Sequence, residues 1–344
     1  MGIPVFLSAT NNEAPITAAI IASICSNTKT EVDFYIIDGY LSHANKHMIE
    51  GCRKLFNNFT IDYIRLDFTF WLKKYPDLRM FDKDAFAKYI IPTLRADLDK
   101  AICLDKDMIF AEGGGDIYEL YQTDLQGFNI AAVPLTTLFG DGLWSRQKLS
   151  NYAKLNLSSK SSVFDPGLLL IDIKKWNKEC LTDKLLNLTK TLASERKLFN
   201  CYDGIFMLFD GRYLKLDKSW NVPYHYAKIF YFNKTFEPSE IKALHFNYTG
   251  DNNKPWNNKN LEGSDFFWKY VALTRLNTIL EKKPPSRIND PQYWLSLKYK
   301  RKIINLLIKL TVSRRKYKKL KRNAEQFFAD SKSKFIRFLG ELYF

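Results

Sequence analysis

Short apolar runs alternate with longer stretches of mixed apolar and polar residues along most of this chain. Residues 5–8 (Val-Phe-Leu-Ser), 32–38 and 60–66 are apolar runs of four to seven residues, the length of a buried strand. A polar turn over 9–15 and a helix over 16–24 separate the first two runs. A helix over 42–56, with Ser42 placed to cap it, separates the second from the third. The pattern continues with a helix over 81–92 that carries Phe86, Tyr89 and Ile90 on its apolar positions and is closed by Pro92. Strands follow at 101–104, 129–134 and 164–172. A helix over 173–191 has Trp176 near its start, 205–209 reads as a short helix, and 243–246 as a strand carrying a histidine near its end. Strands alternating with helices at this spacing predict βαβ units and an α/β fold, a single Rossmann-like domain around a mainly parallel sheet.

The strand at 101–104 ends abruptly in two carboxylates one residue apart, Asp105 and Asp107, and Met108-Ile-Phe110 follows at once. Ligand sites of parallel sheets lie at the carboxyl ends of the strands, and charge is costly there unless it is paired or bound to a metal. Two carboxylates spaced i, i+2 at such a point can share a divalent cation; a polar turn between two strands is the other reading of the pair. Lys88, read alone, is a solvated helix lysine. Gly167, in the turn that opens the 164–172 strand, allows close backbone approach to a ligand. The chain has four histidines, and a lone one such as His245 reads as a structural hydrogen-bonder or as a ligand. No Gly-x-Gly-x-x-Gly or Walker-type loop follows any strand, which argues against dinucleotide or P-loop binding.

Charge divides the chain in two. Residues 282–344 carry 18 Lys+Arg against 4 Asp+Glu, while the preceding 281 residues carry 34 against 33. A nearly neutral body over 1–280 therefore bears a basic tail over 281–344. In that tail the run Arg314-Arg-Lys-Tyr-Lys-Lys-Leu-Lys-Arg322 lies among Phe, Leu and Tyr clusters. Basic amphipathic helices with aromatics read as segments for an anionic membrane surface; a nucleic-acid arm is the competing reading of the charge, and the terminal Phe and Leu clusters favour lipid. No apolar stretch approaches the ~18 residues of a membrane span, and the first seven residues lack the basic start of a signal peptide. Five scattered cysteines without a Cys-x-x-Cys pair argue against a disulfide framework or zinc site and for a reducing, cytoplasmic compartment.

Four stretches together resemble the family 8 retaining glycosyltransferases, the group that includes bacterial lipopolysaccharide galactosyl- and glucosyltransferases and glycogenin. They are Ala87 to Pro92 followed by Asp99 to Asp107; Phe164-Asp-Pro-Gly-Leu-Leu-Leu-Ile-Asp172 running to Trp176; Tyr202-Asp203-Gly204; and His245-Phe-Asn-Tyr-Thr-Gly250 with Lys254-Pro-Trp256. The resemblance implies a GT-A domain in which Asp105, Asp107 and His245 hold Mn²⁺, with Mg²⁺ as the alternative, on the diphosphate of a UDP-sugar. It implies donor contacts from Ser8, Asn11, Lys88, Gly167, Gly250 and Lys254. Asp203, Tyr202 and Asp165 would stand at the reacting sugar. The implied reaction moves galactose or glucose from UDP-galactose or UDP-glucose to a lipid-anchored oligosaccharide, at the inner face of the cytoplasmic membrane and without nucleic acid. The chain departs from the family at Ala9 and Thr10, where an Asp is expected for the uracil contact. It departs again at Cys201-Tyr202, where the family's Asp-Gln stands before the second Asp, and in the two extra residues between His245 and Gly250. A degenerate transferase fold kept as a membrane-associated binding protein is the rival these departures favour.

Overall fold

The computed structural model describes residues 2–66, 70, 73, 83–134, 155, 157, 163–195, 197, 202–223, 240–246, 254–258 and 264–274. The basic tail, Gly250 and Cys201 lie outside the described residues.

The sheet is built on β1 (Ile3–Ala9), β2 (Val32–Asp38), β3 (Phe59–Arg65), β4 (Lys100–Leu104), β6 (Ile130–Pro134), β7 (Phe164–Asp172) and β8 (Leu214–Lys215), in the order β3-β2-β1-β4-β7-β6-β8. The pairs β1–β2, β2–β3, β1–β4 and β6–β8 are parallel, whereas β7 runs antiparallel to both β4 and β6. The chain winds outward from β1 through β2 to β3 and then returns to place β4 on the other side of β1. That reversal is a topological switch point, where a crevice opens beyond the strands' carboxyl ends. Asp105 and Asp107 follow β4 at the mouth of that crevice.

Alternation along the strands feeds one core on each face. Val5 and Leu7 of β1 and Ile102 and Leu104 of β4 join the core under helix α1 (Ala14–Asn27), while Phe6, Ala101 and Cys103 face the other. That second face is covered by α3 (Lys83–Leu94), α5 (Ile173–Lys178), α6 (Leu181–Ser194) and α7 (Asp203–Leu208). The remaining helices among the described residues are α2 (His43–Glu50), α4 (Ile117–Tyr121) and α8 (Ser264–Leu273). A second, three-stranded sheet joins β5 (Met108–Phe110), β10 (Ala243–His245) and β9 (Val222–Pro223).

Several boundaries differ from the sequence pattern for local reasons. Pro92 does not close α3, which runs on to Leu94 with Pro92 in its final turn and Thr93 donating to the carbonyl of Ile90 at 2.7 Å. The helix expected over 173–191 is two, because Cys180 adopts a left-handed conformation (φ 52°) between α5 and α6. The helix expected over 42–56 ends at Glu50 and tightens into a 3₁₀ turn over Gly51–Lys54, although Ser42 does cap it, accepting from the Asn45 N–H at 3.2 Å. Among the described residues no helix is long and apolar enough to cross a membrane.

Candidate active site and its metal ligands

Two strand pairings bring the site together. Leu104 of β4 stands opposite Leu168 of β7, and the Asp105 N–H continues that ladder to the Gly167 carbonyl at 2.7 Å. Gly167 and Asp165 thereby lie beside Asp105. On the other side, β10 pairs antiparallel with β5, His245 opposite Met108, and the Phe246 N–H donates to the Asp107 carbonyl at 2.8 Å. A histidine 138 residues distant is thus brought against the Asp-x-Asp turn by the backbone pairing of β10 with β5.

Each carboxylate divides its two oxygens between a lysine and the histidine. Asp105 Oδ1 accepts from Lys88 Nζ at 2.6 Å and Asp107 Oδ2 from Lys254 Nζ at 2.5 Å. The other two oxygens, Asp105 Oδ2 and Asp107 Oδ1, lie 3.6 and 3.0 Å from His245 Nε2. One donor atom from each of the three residues lies within 4.8 Å of the others. On the far edge of the ring, His245 Nδ1 lies 2.9 Å from Asn221 Oδ1 and 3.6 Å from Asp165 Oδ1.

Lys88 is not the solvated lysine its helix position suggests. It is 3 % exposed, donates to the Pro166 carbonyl as well as to Asp105, and stands 5.3 Å from the centre of the Tyr202 ring. Its place is set one residue along α3, where the Tyr89 carbonyl accepts from Thr182 Oγ1 at 3.0 Å. That hydroxyl in turn accepts from Trp176 Nε1 at 2.9 Å. Tyr202 therefore belongs to the same constellation. Asp203, the next residue, is 1 % exposed in the first turn of α7. Gly167 belongs for a steric reason: a Cβ there would overlap the His245 imidazole and lie 2.9 Å from Asp165 Oδ1.

Ser8 is in β1 opposite Ile37, at the carboxyl end of the sheet. Asn11 braces the loop after β2, donating to the Tyr40 carbonyl at 3.0 Å and accepting from the Ser42 N–H at 2.7 Å and the Asn45 amide at 2.8 Å.

Burial and neighbouring charge of opposite sign act on each of these groups in opposite senses. Burial raises Asp105 and the neighbouring Asp107 charge adds to this, so Asp105 sits above the usual carboxylate range despite Lys88. Burial works against ionisation of Asp107 too, but Lys254 and His245 outweigh it and hold Asp107 well below that range. Two carboxylates sharing one site split in this way. Asp165 is buried yet lowered to about 2 by His245 and by the Gly167 N–H, which donates to it at 2.8 Å. His245 is raised to about 10, its burial outweighed by Asp107 and Asp165.

Without a metal, then, a proton on His245 supplies the positive charge that these carboxylates demand. Two carboxylate oxygens and one imidazole nitrogen form a donor set suited to Mn²⁺, so the residues fit a divalent cation. Binding needs the neutral ring, so loading at pH 7 to 8 is expected to release about one proton, with affinity rising as pH rises towards the free ring's value. Calorimetric titration in buffers of different ionisation enthalpy reads this directly.

Residues 4–260 match the description "Glycosyl transferase family 8". The chain belongs to that family. Among its family 8 relatives, general stress protein A of Bacillus subtilis is 24% identical over 287 residues, 79% of this chain and 93% of that protein. Glycosyltransferase GlyE of Streptococcus pneumoniae is 29% identical over 212 residues, 59% of this chain and 44% of that protein. Among solved structures, the bifunctional glycosyltransferase WbbM superposes with a TM-score of 0.66 at 21% identity, covering 83% of this chain and 52% of that one. The galactosyltransferase LgtC, solved with donor and acceptor sugar analogues, superposes at 0.60 and 19% identity, covering 79% of this chain and 96% of that one. These neighbours share the GT-A fold, and this family 8 chain carries its Asp-x-Asp pair at the sheet's switch point.

Asn221 is the site residue that sequence reasoning missed. It lies in Leu216-Asp-Lys-Ser-Trp-Asn-Val-Pro223, where no pattern marks it, and only the pairing of β9 with β10 brings it to His245.

Proposed function

We propose that this family 8 member is a retaining hexosyltransferase that moves galactose or glucose from a UDP-sugar to a hydroxyl of a lipid-anchored oligosaccharide, such as a lipooligosaccharide core. The observation that carries the reading is the convergence of Asp105 Oδ2, Asp107 Oδ1 and His245 Nε2 between two lysine-bound carboxylates. LgtC, a galactosyltransferase of the same fold, was solved with sugar analogues, which supports the substrate class.

Asp105, Asp107 and His245 would hold Mn²⁺, which when bound neutralises charge on a departing diphosphate. Lys88 and Lys254 add fixed positive charge on either side of that position, preorganised by their carboxylate partners. Asp165, behind His245, keeps negative charge on the ring's far edge. Tyr202 packs beside Lys88 and Asp203 is buried next to it, the pair assigned to the sugar's reacting face. In a same-face displacement the leaving phosphate oxygen takes the acceptor's proton, so these side chains position and stabilise rather than act as a base.

A thermal-shift screen of nucleotide sugars with and without Mn²⁺, followed by a UDP-release assay, tests this. UDP-galactose or UDP-glucose is expected to raise Tm only with the metal, by an amount corresponding to about 2.7 kcal/mol at a hundred times Kd, and to be turned over. Metal-dependent binding without turnover of any UDP-sugar would instead assign the chain to the non-catalytic reading. Residues 1–280 form the catalytic part of the proposal, and 281–344 hold it on the inner face of the cytoplasmic membrane. Each basic residue near an anionic leaflet contributes about 1 kcal/mol. Removing residues after about 290 is therefore expected to abolish sedimentation with phosphatidylserine vesicles while leaving UDP binding intact. Retained sedimentation would overturn the role of the tail.

A further inference from the structure

Asn221 is fully buried, at the junction between the 3₁₀ turn Lys218–Trp220 and β9. Its position is fixed by backbone on both sides. Asp217 accepts from the Ser219 N–H at 2.9 Å, the Lys242 N–H donates to the Ser219 carbonyl at 3.0 Å, and Pro223 stands opposite His245 in the β9–β10 pair. The amide is thereby aimed at the back of the imidazole, with Oδ1 2.9 Å from Nδ1.

That contact has a direction. Oδ1 can only accept, so Nδ1 carries the hydrogen and donates it. The Nε2 lone pair is then the one that faces Asp105 and Asp107, the only neutral tautomer in which this ring can ligate a cation there. Asp165, the other acceptor near Nδ1, lies farther off, at the ion-pair distance of 3.6 Å, and its Oδ1 already accepts from Gly167. The other end of the amide has no such use. Asn221 Nδ2 is buried without a hydrogen-bond partner among the described residues. An unmade buried donor costs about 1–3 kcal/mol.

We propose that Asn221 is a positioning residue: through Nδ1 it fixes the orientation and tautomer of His245 and so sets the affinity of the Asp105–Asp107–His245 site for a divalent cation. The proposal rests on the metal reading above and adds to it a residue that touches neither metal nor sugar.

The test is Mn²⁺ binding to the full chain, followed by the free-ion electron paramagnetic resonance signal and by calorimetry, beside melts without metal. Four proteins are compared: wild type, Asn221→Leu, Asn221→Asp and His245→Ala. Losing such an outer partner costs about 10- to 100-fold in metal affinity, and Asn221→Leu is expected to fall in that range. Asn221→Asp keeps an accepting oxygen and is expected to stay within about threefold of wild type. If Asn221→Leu does not fold, Asn221→Ser, too short to reach Nδ1, takes its place in the comparison. A wild type that binds no Mn²⁺ would overturn the metal reading itself. A wild type that binds, beside a Leu or Ser variant of equal affinity, would overturn the role of Asn221. Equal losses in the Leu and Asp variants, matched by lower metal-free Tm, would leave it a packing residue only and likewise defeat the proposal.

Discussion

Replacing Asp105 or Asp107 by asparagine is expected to lower Mn²⁺-dependent UDP release by at least about 10³-fold, equivalent to about 4 kcal/mol of transition-state stabilisation. Each substitution removes one of the two formal negative charges in the ligand set, and the lost charge stabilisation on the diphosphate is worth several kcal/mol. The fold is expected to survive. An asparagine keeps one accepting oxygen for its lysine, so Lys88 retains a partner beside Asp105 and Lys254 beside Asp107. The two variants should nonetheless differ before any metal is added. Asp107 is held low, so its ionised form stabilises the native state above the unfolded carboxylate value, and this contribution disappears as pH falls. Asp107→Asn should therefore lower the metal-free Tm at pH 7. Initial rates across a manganese titration, with far-ultraviolet circular dichroism as the fold control, measure the main effect. Wild-type turnover in either variant would remove the metal from the mechanism.

Gly167→Ala should abolish activity from a distance that a sequence diagram would not suggest. The added methyl would occupy the space of the His245 ring and approach Asp165 Oδ1 at 2.9 Å. The backbone at 167 cannot retreat easily, because its carbonyl accepts from the Asp105 N–H at 2.7 Å and its own N–H donates to Asp165 at 2.8 Å. Overpacking of this kind costs about 1–3 kcal/mol, and the closest overlap, with the ring, is relieved by moving His245 off the carboxylates. Both Tm and Mn²⁺ affinity are thus expected to fall. A double-mutant cycle separates the causes: in a His245→Ala background the ring is absent, and Gly167→Ala should then cost clearly less stability than in wild type, the approach to Asp165 remaining. Additive losses across the cycle would show that the glycine serves some other purpose.

Much of the scaffold was legible because strand burial writes itself into short apolar runs. The runs at 5–8, 32–38, 60–66 and 101–104 all became strands of the large sheet, and the abrupt charge after Leu104 marked the ligand edge. Helix interiors were read less well. Pro92 looked like a terminator and Cys180 like an ordinary helical residue, since a left-handed φ at a cysteine has no composition signature. Lys88, read alone, has the pattern of a solvated lysine for a related reason, whereas the family resemblance sets it at the donor. Apolar periodicity predicts which face of a helix is buried, but says nothing about a cation whose burial is made tolerable by a carboxylate on another element.

The chain's local chemistry by itself determined the α/β alternation, the Asp-x-Asp pair at a strand end and the division between a neutral body and a basic tail. These depend on neighbours a few residues away, where propensity and hydrophobic spacing act. The family resemblance already set His245 with the two aspartates; only the tertiary structure decided that each aspartate shares itself between a lysine and that ring, and that Asn221 and Asp165 stand behind it. Those contacts join residues separated by 17 to 147 positions, and those of His245 are made through the pairing of β10 with β5 and β9. Backbone hydrogen bonding sets that register, and no short window of sequence contains both partners.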